Sequence, residues 1–427
     1  MLNLLIKSPI FRGASWYLLE KLIRLVGAFL IGAWVARYLG PEVYGTLAFA
    51  LSIVSVLGFL ASLGVETIVI RDLIERPEDR RQILATYLFI RIAGGLLAPL
   101  IAVTYLMYAH AEDRLLIIFA SLFGGAVIFG AYDAADCWLQ ATKQARITSL
   151  IRIAGFFVGA IGRCFLIVYE AAPMWFAVIF MIESAFIAAL YHISLSRNKL
   201  APSLRYFRGK EARELIVSGR MMILSGFTVS VYTKLDLIFV GSLLSKEEIG
   251  TYAVAASMCG AWNMVGTSLA QAWGPRLTES RSAGMQSYLR QLRALIFAMI
   301  SISILGSLVL MLFSTFIFEF FFGSAFLPGA EIFQLLVWSS VPIFIGIATS
   351  QIIVNERVYW VSLLRTSVNM LIYIILFVPA VRHFGAMGAA AVVVIGASIA
   401  VPMVLFSRQA RRVIFSMLKY QESRRVV

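Results

Sequence analysis

The chain has 427 residues, 60% of them hydrophobic and 14% charged, with a formal net charge of +14. Soluble domains hold about 25% charged residues, so this composition speaks against a soluble enzyme and for a chain that crosses a membrane repeatedly. Cys137, Cys164 and Cys259 lack metal-ligand spacing and are too scattered for a disulfide framework.

Apolar runs long enough to span a bilayer recur along the whole chain. They predict about twelve helices: 13–38, 43–65, 83–108, 114–132, 147–169, 173–195, 214–240, 247–270, 291–316, 329–352, 357–380 and 385–407. Lys7, Pro9 and Arg12 precede the first run without a small-residue cleavage site, so that span is expected to serve as its own insertion signal.

Span one carries Glu20, Lys21 and Arg24 on one side of its helix. Glu20 and Arg24 are about 40° apart, and Lys21 and Arg24 about 60°. One carboxylate cannot neutralise two cations, so the stripe is expected to border water as well as to pair internally. Asp133 and Asp136 fall at the end of span four, where solvation of a helix end is the expected role. Span five places Arg152 and Arg163 on one face with Gly155 and Gly159, a pattern that suits close helix contact with the arginines snorkelling to opposite interfaces. Arg163 is also a cavity candidate. Segments 71–81 and 271–290 have mixed charge and are expected to be amphipathic surface helices.

The basic stretch Arg197–Arg213 separates two halves, read as a six-span lobe over residues 1–196, a linker over 197–213, and a six-span lobe with a basic tail over 214–427. An internal repeat supports the division. Gly45, Thr46, Ala48 and Ala50 match Gly250, Thr251, Ala253 and Ala255, and Ser149–Arg152 matches Ser362–Arg365. Each half has an even number of spans, so the repeat is parallel, and spans one and seven are expected to face a central path.

Span seven carries Lys234 and Asp236, about 160° apart. One is expected to face the path while the other finds a partner on a neighbouring helix. The chain then breaks at Ser245–Glu248 before span eight. Span eleven carries Arg365 and Asn369.

About 25 of the 37 Lys and Arg residues fall in segments on one side of this layout and 4 on the other. The positive-inside rule then puts both termini in the cytoplasm and accounts for the charge without nucleic acid. Within spans, eight basic residues face Glu20, Glu183 and Asp236, with Glu66 at an edge. A cationic surplus in low dielectric attracts anions, and arginine forks suit phosphate. There is no nucleophile–base set, metal-binding motif or phosphate loop, so neither enzyme activity nor a cofactor is expected.

The Lys-x-Asp of span seven (Lys234, Asp236), the run Gly250–Ala255, and Asn369, Pro379 and Gly385–Ala390 in order resemble the polysaccharide-transporter branch of the MATE/oligosaccharide-flippase (MOP) superfamily. The resemblance covers nearly the whole chain. It implies an all-α, MATE-like fold and a Wzx-type flippase. Such a protein moves an undecaprenyl-pyrophosphate-linked oligosaccharide across the bacterial inner membrane, with H+ or Na+ as coupling ion. It also implies membrane lipids, a polysaccharide polymerase and a chain-length regulator as partners. Glu20, Lys21, Arg24, Arg163, Lys234, Asp236 and Arg365 are then the cavity candidates. The first lobe departs from the pattern: it lacks the Lys-x-Asp pair, and Trp175-Phe176 stands where the second lobe has Gly388-Ala389. A multidrug antiporter of the same fold would need more acidic residues in the first lobe. A polymerase would need a large external loop, and an acyltransferase a histidine within a span.

Overall fold

The computed structural model describes residues 9–201, 203–356 and 358–419. Among them the regular structure is helical, in agreement with the all-α, multi-pass expectation. The chain forms two compact units, one from residues up to Leu39 with Thr46–Lys234, the other from Gly40–Gly45 with Leu235 onward.

The first unit is built on α1 (Pro9–Leu57), α2 (Phe59–Ser62), α3 (Glu66–Glu75), α4 (Arg80–Ala109), α5 (Arg114–Phe129), α6 (Ala134–Ala141), α7 (Ala145–Val168), α8 (Met174–Arg197) and α9 (Gly209–Tyr232). The second holds α10 (Leu235–Leu243), α11 (Lys246–Ser282), α12 (Met285–Leu312), α13 (Ser314–Ile317), α14 (Pro328–Leu336), α15 (Ser340–Asn355), α16 (Trp360–Ala400) and α17 (Arg408–Lys419).

Nine helical runs among the described residues are long and apolar enough to cross a membrane. Two of them hold two expected spans each. α1 passes through Gly40 at φ 72°, ψ 166°, and α16 through Gly385 at φ 56°, ψ −142°. Both values are easy for glycine and strained for other residues, so the chain turns sharply inside what is otherwise continuous helix. α11 contains expected span eight but is too polar to be counted among the nine, with Trp262, Asn263, Thr267 and Gln271 along its length. Its start is a capping box. Ser245 Oγ accepts from the Glu248 amide and the Glu248 carboxylate accepts from the Ser245 amide, which is why the chain breaks where the sequence suggests.

Segments 71–81 and 271–290 each join two helices. Segment 71–81 is the end of α3, a 3-10 turn at Pro77–Asp79 and the start of α4, and α3 buries Ile68, Val69 and Leu73 in the core of the first unit. Segment 271–290 continues α11, turns at Gly284 and enters α12. Leu73, Leu277, Tyr288 and Leu289 of these segments are buried, while Ile74 and Met285 are exposed. The stretch read as a linker, 197–213, contains the end of α8, a short 3-10 turn and the start of α9, whereas the units divide at Lys234–Leu235. α9 groups with the first unit because Gly219 and Gly226 let it approach Val65 and Phe59 closely. Arg76 reinforces this with two hydrogen bonds to Glu211, at 3.0 and 3.1 Å, and the bond to Glu211 holds its guanidinium above the ordinary arginine value.

Gly94 of α4 shows how tightly the first unit is packed. A methyl group there would run into the carbonyl of Leu60 and the backbone of Ala61. Backbone cannot move aside as a side chain can, so Gly94→Ala is expected to cost about 1–3 kcal/mol. The measurement is the temperature at which the detergent-purified protein loses monodispersity. An unchanged temperature would show that α2 and α4 can separate freely.

Candidate functional site

In the first unit the stripe of α1 is set by how that helix packs. Trp16 lies under the Arg146 guanidinium, Gly27 abuts the Phe156 ring, and the Tyr38 hydroxyl donates to the Ala171 carbonyl at 2.9 Å. One face of α1 thus runs along α7 and into the connection that follows it. Glu20 turns inward and is 2% exposed. Its carboxylate accepts from Arg24 Nη1 at 2.9 Å. The Arg24 side chain is 49% exposed, so the pair uses one nitrogen of the fork and leaves the rest of the guanidinium open. Lys21 is exposed beside it. The stripe is both an internal pair and an open cationic face.

Span seven, in which the chain passes from the first unit to the second, is broken. α9 ends at Tyr232, Thr233 and Lys234 form a turn, and α10 begins at Leu235. Lys234 is partly exposed in that turn. Asp236 accepts from the Tyr252 hydroxyl of α11 at 3.1 Å. The partner on a neighbouring helix is therefore found by the acid. Asn369 and Tyr373 of α16 are buried where Gly396 admits them closely. Arg365 donates to the Gly346 carbonyl at 3.1 Å and to the Ser350 hydroxyl at 3.3 Å, which ties α16 to α15.

The two arginines of α7 do not snorkel. Arg163 pairs with Glu183 of α8 at 2.7 Å, over the bare backbone of Gly159. Arg152 pairs with Asp136 of α6 at 2.8 Å and reaches the Tyr191 hydroxyl at 3.4 Å. Asp136 is 5% exposed and also accepts from Thr148 at 2.8 Å and Gln140 at 2.9 Å. It is a buried hub between α6, α7 and α8 rather than a solvated helix end. Asp133, by contrast, is half-exposed and stands 3.7 Å from Arg91.

Arg91 is a second hub. It donates to the Tyr87 hydroxyl and the Gly130 carbonyl, both at 3.0 Å, and faces Glu66 at 3.5 Å. A buried arginine needs such a set of acceptors, because an unpaired charge in low dielectric costs several kcal/mol. These hubs were invisible as sites in the sequence, since their members come from different helices. The spacing of Tyr87 and Arg91, and of Asp136 and Gln140, was the available signal. The basic surplus is thus divided. Arg91, Arg152 and Arg163 are held by carboxylates or carbonyls inside the first unit, while Arg24 and Lys234 keep open surface.

A family model described as a polysaccharide biosynthesis protein matches residues 10–281. No curated protein sequence matches the chain significantly. Among solved structures, the fold is similar to an inward-facing multidrug resistance MATE family transporter of the MOP superfamily. That match has TM-score 0.70 at 14% identity and covers 93% of this chain and 95% of the other. It is also similar to the lipid II flippase MurJ in an inward closed conformation, with TM-score 0.64 at 15% identity over 94% and 91% of the two chains. A MOP superfamily transporter from Pyrococcus furiosus, described as having a binding pocket of reverse polarity, matches with TM-score 0.55 at 16% identity over 96% and 94%.

Proposed function

This chain belongs to the polysaccharide biosynthesis protein family, and from that premise we propose that it is a flippase for a lipid-linked oligosaccharide. Its cargo is an undecaprenyl-pyrophosphate carrying a sugar repeat unit for a surface polysaccharide. Alternating access in the bacterial inner membrane moves it from the inner to the outer leaflet, driven by coupling to H+ or Na+. The work is translocation, and no bond in the cargo is broken.

The observation that carries this reading is the open guanidinium of Arg24, a cation at membrane depth whose one carboxylate partner occupies a single nitrogen. An anion with several oxygens satisfies the rest of such a fork, and a pyrophosphate supplies them. Lys234, partly exposed in the break of span seven, adds a second positive centre. Similarity to MOP transporters supports the fold for such transport.

The direct test uses the purified protein in vesicles loaded with a lipid-pyrophosphate-oligosaccharide on the inner leaflet, with an external lectin capturing sugars that appear outside. Faster capture than in protein-free vesicles is the expected result. Equal rates would end the proposal. The orientation is tested separately by reporter fusions. Fusions at Arg208 and at Gly323 are expected to report opposite sides of the membrane, the first cytoplasmic. The same side for both would overturn the twelve-span topology.

A further inference from the structure

We propose that α17 is a docking face for the phosphate headgroups of anionic phospholipid at the membrane surface. This goes beyond the transport reading and does not depend on it.

α17 follows the last membrane run, which ends at Phe406, and is capped by Ser407, whose hydroxyl accepts from the Ala410 amide. It is divided lengthwise. Ala410, Val413 and Met417 are buried in the cluster that includes Leu277, Tyr288 and Ile353, so the helix is fixed to the second unit rather than trailing from it. On the other face Arg408, Arg411, Arg412, Phe415 and Ser416 line an open cavity of about 460 Å³. Their spacing, three or four residues apart, puts them on one side of the helix.

That face is chemically one-sided. The sequence Arg408–Lys419 contains no acidic residue. Among the described residues no carboxylate lies within ion-pair distance of the three arginines, although paired arginines are frequent elsewhere in the protein. Three forks around one cavity form a receptor for phosphodiester oxygens, with the Ser416 hydroxyl as a further donor. Phe415, 52% exposed, belongs to the same face and suits the boundary between headgroups and acyl chains. Basic residues close to a membrane end meet a surface of the opposite charge wherever acidic lipid is present.

The test uses the full chain purified from vesicles of phosphatidylcholine with a minority of phosphatidylglycerol, and native mass spectrometry of the lipid that remains bound. The wild type is expected to retain phosphatidylglycerol selectively. The variant R408Q/R411Q/R412Q is expected to bind it about a hundredfold more weakly, so that its bound lipid approaches the bulk mixture. The matched variant R197Q/K199Q/R205Q removes the same charge from another basic segment and is expected to retain the lipid. R408K/R411K/R412K keeps the charge without the forks and is expected to fall between. Inorganic phosphate is not expected to displace the lipid. An equal loss in both glutamine variants would reduce the effect to bulk charge and overturn the proposal. Unchanged retention in the α17 variant would also overturn it. Displacement by phosphate alone would make it a free-anion site. The substituted side chains point away from Ala410, Val413 and Met417, and an unchanged melting temperature verifies that α17 stays folded.

Discussion

Arg24→Ala is expected to abolish export of surface polysaccharide in a strain lacking its own flippase, while the amount of protein in the membrane stays normal. The loss should exceed tenfold, because under the proposed function the headgroup is oriented by a fork rather than by diffuse charge. Arg24→Lys is expected to retain part of the export, since the charge survives but bidentate geometry does not. The alanine variant also leaves Glu20 buried without its 2.9 Å partner. That alone could lower the level of protein. The double variant Glu20→Gln/Arg24→Ala removes the orphaned carboxylate and is expected to restore any lost abundance without restoring export. Full export by well-expressed Arg24→Ala would reduce Arg24 to a packing partner of Glu20 and withdraw α1 from the binding site.

Asp136→Ala is expected to have the largest effect on stability. Asp136 accepts from Arg152, Thr148 and Gln140 in a site almost closed to solvent. Removing the acid leaves Arg152, whose side chain is 33% exposed, without its carboxylate, at a cost below the about 3–5 kcal/mol of a fully buried pair. The readouts are membrane abundance and the temperature at which the purified protein aggregates. Asp136→Asn should be milder, because an amide oxygen still accepts. Asp136→Ala/Arg152→Met should recover much of the loss, since replacing both charges with apolar groups removes the uncompensated ion. If Asp136→Ala is as stable as the wild type, Arg152 finds sufficient acceptors elsewhere and the hub is dispensable.

These two residues also show where reading the chain succeeds. Glu20 and Arg24 lie on one helix, one turn apart, and their pairing follows from helical geometry alone. Asp136 and Arg152 lie on different helices, and nothing in the spacing of either indicates the other. The same holds for Arg163 with Glu183 and for Asp236 with Tyr252. In each case the sequence identifies a charge that needs a partner, and the rotation of the neighbouring helix decides which partner it receives. Arg152 and Arg163 looked able to snorkel because both lie near span ends. Pairing removed that need.

The all-helical, multi-pass character of the chain was determined by the sequence itself. Length and apolarity of each run are local properties, and lipid forces every such run to satisfy its own backbone as helix. The sharp turns fall at boundaries between expected spans, and the backbone angles identify Gly40 and Gly385 as the turning points. Tertiary structure decided the rest. It grouped α9 with the first unit through Gly219 and Gly226. It also divided a uniform excess of positive charge into arginines locked by carboxylates and carbonyls and a few that stay open. That division depends on which side chains meet across helices, and a bilayer-spanning sequence specifies those meetings through packing between distant segments rather than through any local pattern.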